Sequence, residues 1–204
     1  MAGLSQWLAG FATTGLAVVW VSGMPAAAHP GGMVTGAYTT QPIGHIDFCR
    51  RHPSECAIRP VDQSAHVLSD ALLTTLKDIT VAINKAVRPA SDKELHDTNE
   101  FWSYPDGAGD CEDYALAKQR ALAERGISRA NLLITVVRKK DGEGHAILTV
   151  RTDGGDFILD NLNDDVLAWT ESDYTFLKRQ ATTHSGRWVT ILHDRKDQLV
   201  GSIR

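Results

Sequence analysis

Three residues of this chain have the types and the order needed for thiol chemistry: Cys111, His145 and Asp160. Cys111 sits in Gly107-Ala108-Gly109-Asp110-Cys111-Glu112-Asp113-Tyr114, where two glycines give way to a helical pattern. The first turn of a helix holds unpaired N–H groups and the positive end of the dipole, and both favour a thiolate over a thiol. His145 opens the run Gly144-His145-Ala146-Ile147-Leu148-Thr149-Val150, and Asp160 closes Phe157-Ile158-Leu159-Asp160-Asn161; each is the polar edge of an apolar, strand-like stretch. A nucleophile, a base that later protonates the leaving amine, and a group that fixes the base's tautomer would then follow one another along the chain. The plainer alternative is a cysteine buried as a small hydrophobe and a histidine on a strand surface.

Asp110, Glu112 and Asp113 crowd the same turn as the cysteine. Acidic residues suit a helix N-terminus, and Asp110 with Asp113 resembles a capping arrangement. Three carboxylates beside Cys111 would nevertheless oppose the thiolate. Either they turn away into hydrogen bonds or a cation neutralises them, and a hard, oxygen-seeking ion such as Ca²⁺ suits the set.

The elements that must position these groups follow from periodicity. From Asp62, the residues Ala65, Leu68, Leu72, Leu76, Ile79, Ile83 and Ala86 recur at steps of three and four, which predicts one amphipathic helix ending before Pro89. Residues 90–109 form a polar connection, and its Phe101, Trp102 and Tyr104 either line a cleft or cover the core. The helix opened by Cys111 runs to Gly126. Strands are expected at 131–138, 144–151, 156–159 and 187–192, joined in part by glycine-rich hairpins. Helices first and an antiparallel meander second make an α+β order.

The 204 residues suffice for one domain, and net charge −4 with no long basic run gives no sign of nucleic-acid binding. Residues 1–28 read as a signal peptide: an apolar run from Leu8 to Val21 precedes Ala26-Ala27-Ala28, a small-x-small exit. Export, to the periplasm, bears on the three cysteines, because an odd count in an oxidising compartment suggests one pair and one free thiol. Cys49 and Cys56 flank a short polar segment and can close on each other, within an irregular lead-in over residues 29–60; the domain proper spans 61–204.

The block Asp110-Cys111-Glu112-Asp113-Tyr114-Ala115-Leu116-Ala117-Lys118, followed by Gly144-His145-Ala146-Ile147-Leu148 and Ile158-Leu159-Asp160-Asn161, resembles the bacterial transglutaminase-like cysteine proteinases. The likeness extends through Ile83-Asn84-Lys85-Ala86-Val87 upstream and to Trp169 and Trp188 downstream. It implies a papain-like/transglutaminase-like fold, with the nucleophile helix packed on an antiparallel sheet. It also implies a cysteine endopeptidase with Cys111 as nucleophile, His145 as general base and Asp160 as orienting acid. By the same resemblance Asp110, Glu112 and Asp113 match acidic positions tied to calcium, the protein substrate would be a surface adhesin, and a regulatory partner would sit at the inner membrane. Two features depart from the pattern: Glu100-Phe101-Trp102 replaces an Asp-x-Trp, and the Cys49/Cys56 segment has no counterpart. The same three residues would also serve a transglutaminase or other acyltransferase, and a non-catalytic calcium-responsive binding module is the reading without chemistry. A metal held by Cys111, His145 and Asp160 is a further alternative.

Overall fold

The apolar runs beyond residue 131 form the centre of a seven-stranded antiparallel sheet in a computed structural model that describes residues 31–192. The signal peptide expected at 1–28 lies outside the described residues. In chain order come β1 (Thr35–Thr39), α1 (Ile43–Arg51), α2 (Pro53–Cys56), α3 (Asp70–Ala86), β2 (Arg88–Pro89), α4 (Asp92–His96), β3 (Ala108–Gly109) and α5 (Cys111–Ala123). The remainder is β4 (Leu132–Arg138), β5 (Gly144–Thr152), β6 (Gly155–Leu159), β7 (Leu167–Ala168), β8 (Thr175–Ala181) and β9 (His184–Ile191), with short 3-10 turns before β4 and after β7. The sheet runs β1-β9-β8-β4-β5-β6-β7, while β2 and β3 pair apart from it as a short parallel ladder. Helices lead, an antiparallel sheet follows, and α5 packs on its middle, which is the expected α+β arrangement.

Strand alternation divides the core. Leu148, Val150 and Leu159 face Leu72, Leu76 and Ile79 of α3 and Leu122 of α5. Ile147 and Ile158 point the other way, toward Met33, Val137, Phe176 and Ile191. A third cluster joins Phe48 and Cys56 to Trp102, Ala115, Leu116, Ile134 and Trp188, so the first helices are part of the core.

Three expectations need correction. Residues 35–56 are not an irregular lead-in: they hold edge strand β1, paired with β9, and helices α1 and α2, bridged by the Cys49–Cys56 disulfide. The helix expected from Asp62 begins at Asp70, capped by Ser69, whose side chain accepts from the Leu72 N–H at 3.1 Å. Residues before it run extended because the sheet takes up their backbone: His66 N–H donates to Arg151 O, Asp153 N–H to His66 O, and Leu68 N–H to Asp153 Oδ1. Strand β8 was not expected at all; its polar Arg179 and Gln180 are buried, each bonded to a specific partner.

Candidate active site

Cys111 is the first residue of α5, with Asp110 as its N-cap. The helix is placed by the ladder behind it: Arg88 N–H donates to Gly107 O at 2.9 Å and Ala90 N–H to Gly109 O at 3.0 Å. Tyr114, one turn into the helix, donates its hydroxyl to Val87 O at 2.5 Å, which ties α5 to the end of α3. At the far end Gly126 takes a positive φ of 85° and lets the chain turn back into β4.

The sheet supplies the other two groups. His145 enters β5 opposite Val137 of β4. The β5–β6 register, Leu148 opposite Leu159, leaves Asp160 one step beyond the ladder and diagonal to His145. His145 Nε2–H donates to Asp160 Oδ1 at 2.8 Å, with both side chains buried. In the neutral ring the second nitrogen, Nδ1, is thereby left as an acceptor. Asp160 also accepts from the Leu162 N–H at 3.1 Å and the Tyr174 hydroxyl at 2.5 Å. Burial pushes its carboxyl up, but the bond and charge of His145, with the Tyr174 and Leu162 donors, outweigh that and hold it below the usual range. Cys111 and His145 both line two adjoining hollows of about 450 and 280 Å³, sharing Gly144 between them. Trp102 and Pro42 wall the smaller hollow, so one of the aromatics ahead of the cysteine both fills core and lines the cleft.

The four acids around the turn play different parts. Asp110 Oδ2 accepts from the Asp92 N–H at 3.3 Å, Asp113 Oδ1 from the Ser103 N–H at 2.7 Å, and Asp92 Oδ2 from the Phe101 N–H. Each uses one oxygen in this way. The remaining Asp92 Oδ1, Asp110 Oδ1 and Asp113 Oδ2 are buried without a hydrogen-bond partner among the described residues. Asp92, Asp110 and Asp113 each bring an oxygen within 4.8 Å of the others, so these three acids could hold a hard cation. Gly109 keeps the space open: a Cβ there would meet Asp113 Oδ2 at 2.7 Å. Glu112 lies between Asp110 and the sulfur, and the Cys111 S–H donates to its Oε2 at 3.1 Å. Asp92 escaped sequence reasoning because it lies 18 residues before Asp110 in a polar segment, with no spacing to mark it.

Burial sets the charges. Burial first, then the charge of Asp110, drives Glu112 up to about 9; burial and the neighbouring acids bring Asp113 to about 7. Burial and Glu112 also push the Cys111 thiol well up, while the Ala146 backbone N–H at the sulfur pulls it down. These shifts favour the thiol over the thiolate and the protonated forms of Glu112 and Asp113, and a positive charge placed among the acids would reverse that bias.

A profile of the bacterial transglutaminase-like cysteine proteinases matches residues 35–196. The chain belongs to that family. As a bacterial transglutaminase-like cysteine proteinase it is a cysteine peptidase, and its helix-on-sheet fold is transglutaminase-like. Two solved structures of Legionella pneumophila LapG share the fold. The calcium-bound form has a TM-score of 0.51 at 22% identity over 61% of this chain and 73% of that one. A second LapG structure has a TM-score of 0.50 at 24% identity over 62% and 72%. No curated protein matches. No helix among the described residues of this proteinase is long and apolar enough to cross a membrane.

Proposed function

We propose that this proteinase is exported and cleaves a protein at the cell surface or in the periplasm through Cys111, His145 and Asp160. The observation that carries the reading is the 2.8 Å bond from His145 Nε2 to buried Asp160, made where His145 and Cys111 line the same hollows. In this scheme His145 accepts the sulfur's proton at Nδ1 and the thiolate adds to the peptide carbonyl. His145 then protonates the departing amine, and water releases the acyl group from sulfur. Asp160 holds the imidazole in the tautomer that accepts at Nδ1 and steadies its protonated form.

The proposal includes calcium at Asp92, Asp110 and Asp113, supported by the three orphaned oxygens and by the calcium-bound form of LapG. Bound there, the ion would supply the positive charge that favours a thiolate at Cys111 and would order the Gly107–Gly109 approach. Glu112 belongs to that set only if it leaves the sulfur. A surface adhesin as substrate and an inner-membrane regulatory protein complete the proposal; their support is the family resemblance alone.

Proteomics of the exported fraction with native protein and with Cys111→Ala tests the reading. Fragments of a surface protein should accumulate only with the native protein. Identical fragment patterns would reject the peptidase role for Cys111.

A further inference from the structure

We propose that Tyr174 is a positioning residue for the catalytic pair, acting through Asp160; this rests on the roles just assigned to Cys111, His145 and Asp160. A carboxylate that orients a histidine must itself be held, since a side chain free to rotate would carry the imidazole with it. Asp160 sits just past the end of β6 and has no strand partner to fix its backbone there. Its Oδ1 is engaged twice, by His145 Nε2–H and by the Leu162 N–H. Its Oδ2 has one protein donor among the described residues, the Tyr174 hydroxyl at 2.5 Å. That length suits an O–H donor on an ionised carboxylate, the stronger kind of hydrogen bond.

Tyr174 is suited to hold this place. It lies one residue before β8, on the far side of β4 from His145, and its ring reaches across to stand 5.6 Å from the imidazole at a tilt of 54°. Phe176, the next residue on the same side of β8, is buried in the sheet's second core. One tyrosine therefore touches both members of the pair, the imidazole through its ring and the carboxylate through its hydroxyl. From the helix side Asn84 Nδ2 donates to Asp160 O at 3.0 Å and to Asp164 Oδ1 at 2.9 Å, which fixes the backbone of the same turn but leaves the carboxyl free to swing. The Leu162 N–H pins Oδ1 and the tyrosine hydroxyl pins Oδ2, so the tyrosine bond closes the second of the two anchors that stop that rotation.

The test is Tyr174→Phe, which removes the hydroxyl and keeps the ring, on the full exported protein in calcium. Two readouts need no substrate. The low-field proton resonance of His145 Nε2–H reports the bond to Asp160, and the alkylation rate of Cys111 by iodoacetamide at fixed neutral pH reports the working pair. Tyr174→Phe should broaden or shift that resonance and slow alkylation by about tenfold, while the melting temperature changes little. In an Asp160→Asn background the same change should slow alkylation no further, because the hydroxyl acts through the carboxylate. Equal slowing in both backgrounds, or an unmoved resonance with an unchanged rate, would overturn the proposal. A failure of the parent reading looks different: alkylation would then be indifferent to His145→Ala, while the resonance would still respond to Tyr174.

Discussion

Glu112 presents its carboxyl to the sulfur of its chain neighbour Cys111, 3.1 Å away, and burial drives both toward their neutral forms. The pair thus acts as an internal brake whose strength depends on pH. Glu112 is neutral below about 9 and becomes an anion beside the thiol above it. Without calcium, Glu112→Gln should leave Cys111 alkylation at pH 7 nearly unchanged. Above pH 9 the variant's rate should climb more steeply than the native rate, because the native carboxylate opposes thiolate formation there. Parallel pH–rate curves for the two proteins would show that Glu112 does not set the sulfur's charge.

Calcium binding should release protons. Asp113 stands at about 7, so part of its population carries a proton at neutral pH that a bound cation must displace. Titration calorimetry in buffers of different ionisation enthalpy should show proton release approaching one at pH 6 and falling by pH 8.5. Asp92→Asn or Asp113→Asn should weaken binding by tenfold or more, and magnesium should substitute poorly at an irregular oxygen site. Heats independent of buffer would place the ion away from Asp113.

Lys118 is fully buried on α5, two turns beyond Cys111, and its Nζ has no hydrogen-bond partner among the described residues. Burial pushes the ammonium down to about 8, against the pull of Asp160 and Asp164. The folded pKa lies below the unfolded 10.5, so the cost of burying the charge is complete below pH 8 and disappears as pH rises to 10.5. That shift corresponds to about 3 kcal/mol. Lys118→Met should therefore stabilise the protein by about 1–3 kcal/mol at pH 7, with the gain vanishing in strong alkali. Denaturant midpoints across that pH range check it.

His45 is buried among Phe48, Trp102 and Trp188, and its Nδ1 accepts from Trp188 Nε1 at 3.2 Å. Burial, with the Arg129 charge behind it, lowers the ring to about 3. The unfolded chain takes up this proton near 6.5 and the folded one does not, so stability is full above 6.5 and falls as pH drops toward 3. The loss should be about 1.4 kcal/mol per pH unit between about 6 and 4. Thermal melts should show that slope in the native protein and a shallower one in His45→Gln.

The three residues proposed for catalysis were legible because each stands where a regular pattern stops. Cys111 starts a helix, His145 is the second residue of an apolar strand and Asp160 follows the last residue of another, and those boundaries are local properties of the chain. Strand β8 was hidden because two of its buried positions, one on each face of the sheet, are polar. Arg179 donates to Asp156 Oδ2 at 2.7 Å, and Gln180 Oε1 accepts from Gln119 Nε2 at 2.8 Å, partners 23 and 61 residues away that periodicity cannot announce. Asp92 and Tyr174 were missed for the same reason, since each acquires its part only when distant segments meet. For the acidic turn, sequence leaves open whether Asp110, Glu112 and Asp113 turn into hydrogen bonds or share a cation; the fold puts Glu112 against the sulfur and brings Asp110 and Asp113 to Asp92.

The small β2–β3 ladder has a consequence for tolerance to change. By fastening Arg88 to Ala108 and Pro89 to Gly109, it turns the chain between them into an excursion that leaves and returns at one point. Residues added near its outer bend, where Asp97 already adopts a left-handed φ of 55°, would lengthen the loop without displacing the cysteine helix. One residue added at the ladder itself would shift Asp92, Asp110 and Cys111 out of step together. The outer bend is thus the place to graft a reporter peptide or a protease-cleavable tether beside the cleft, with Cys111 left in position.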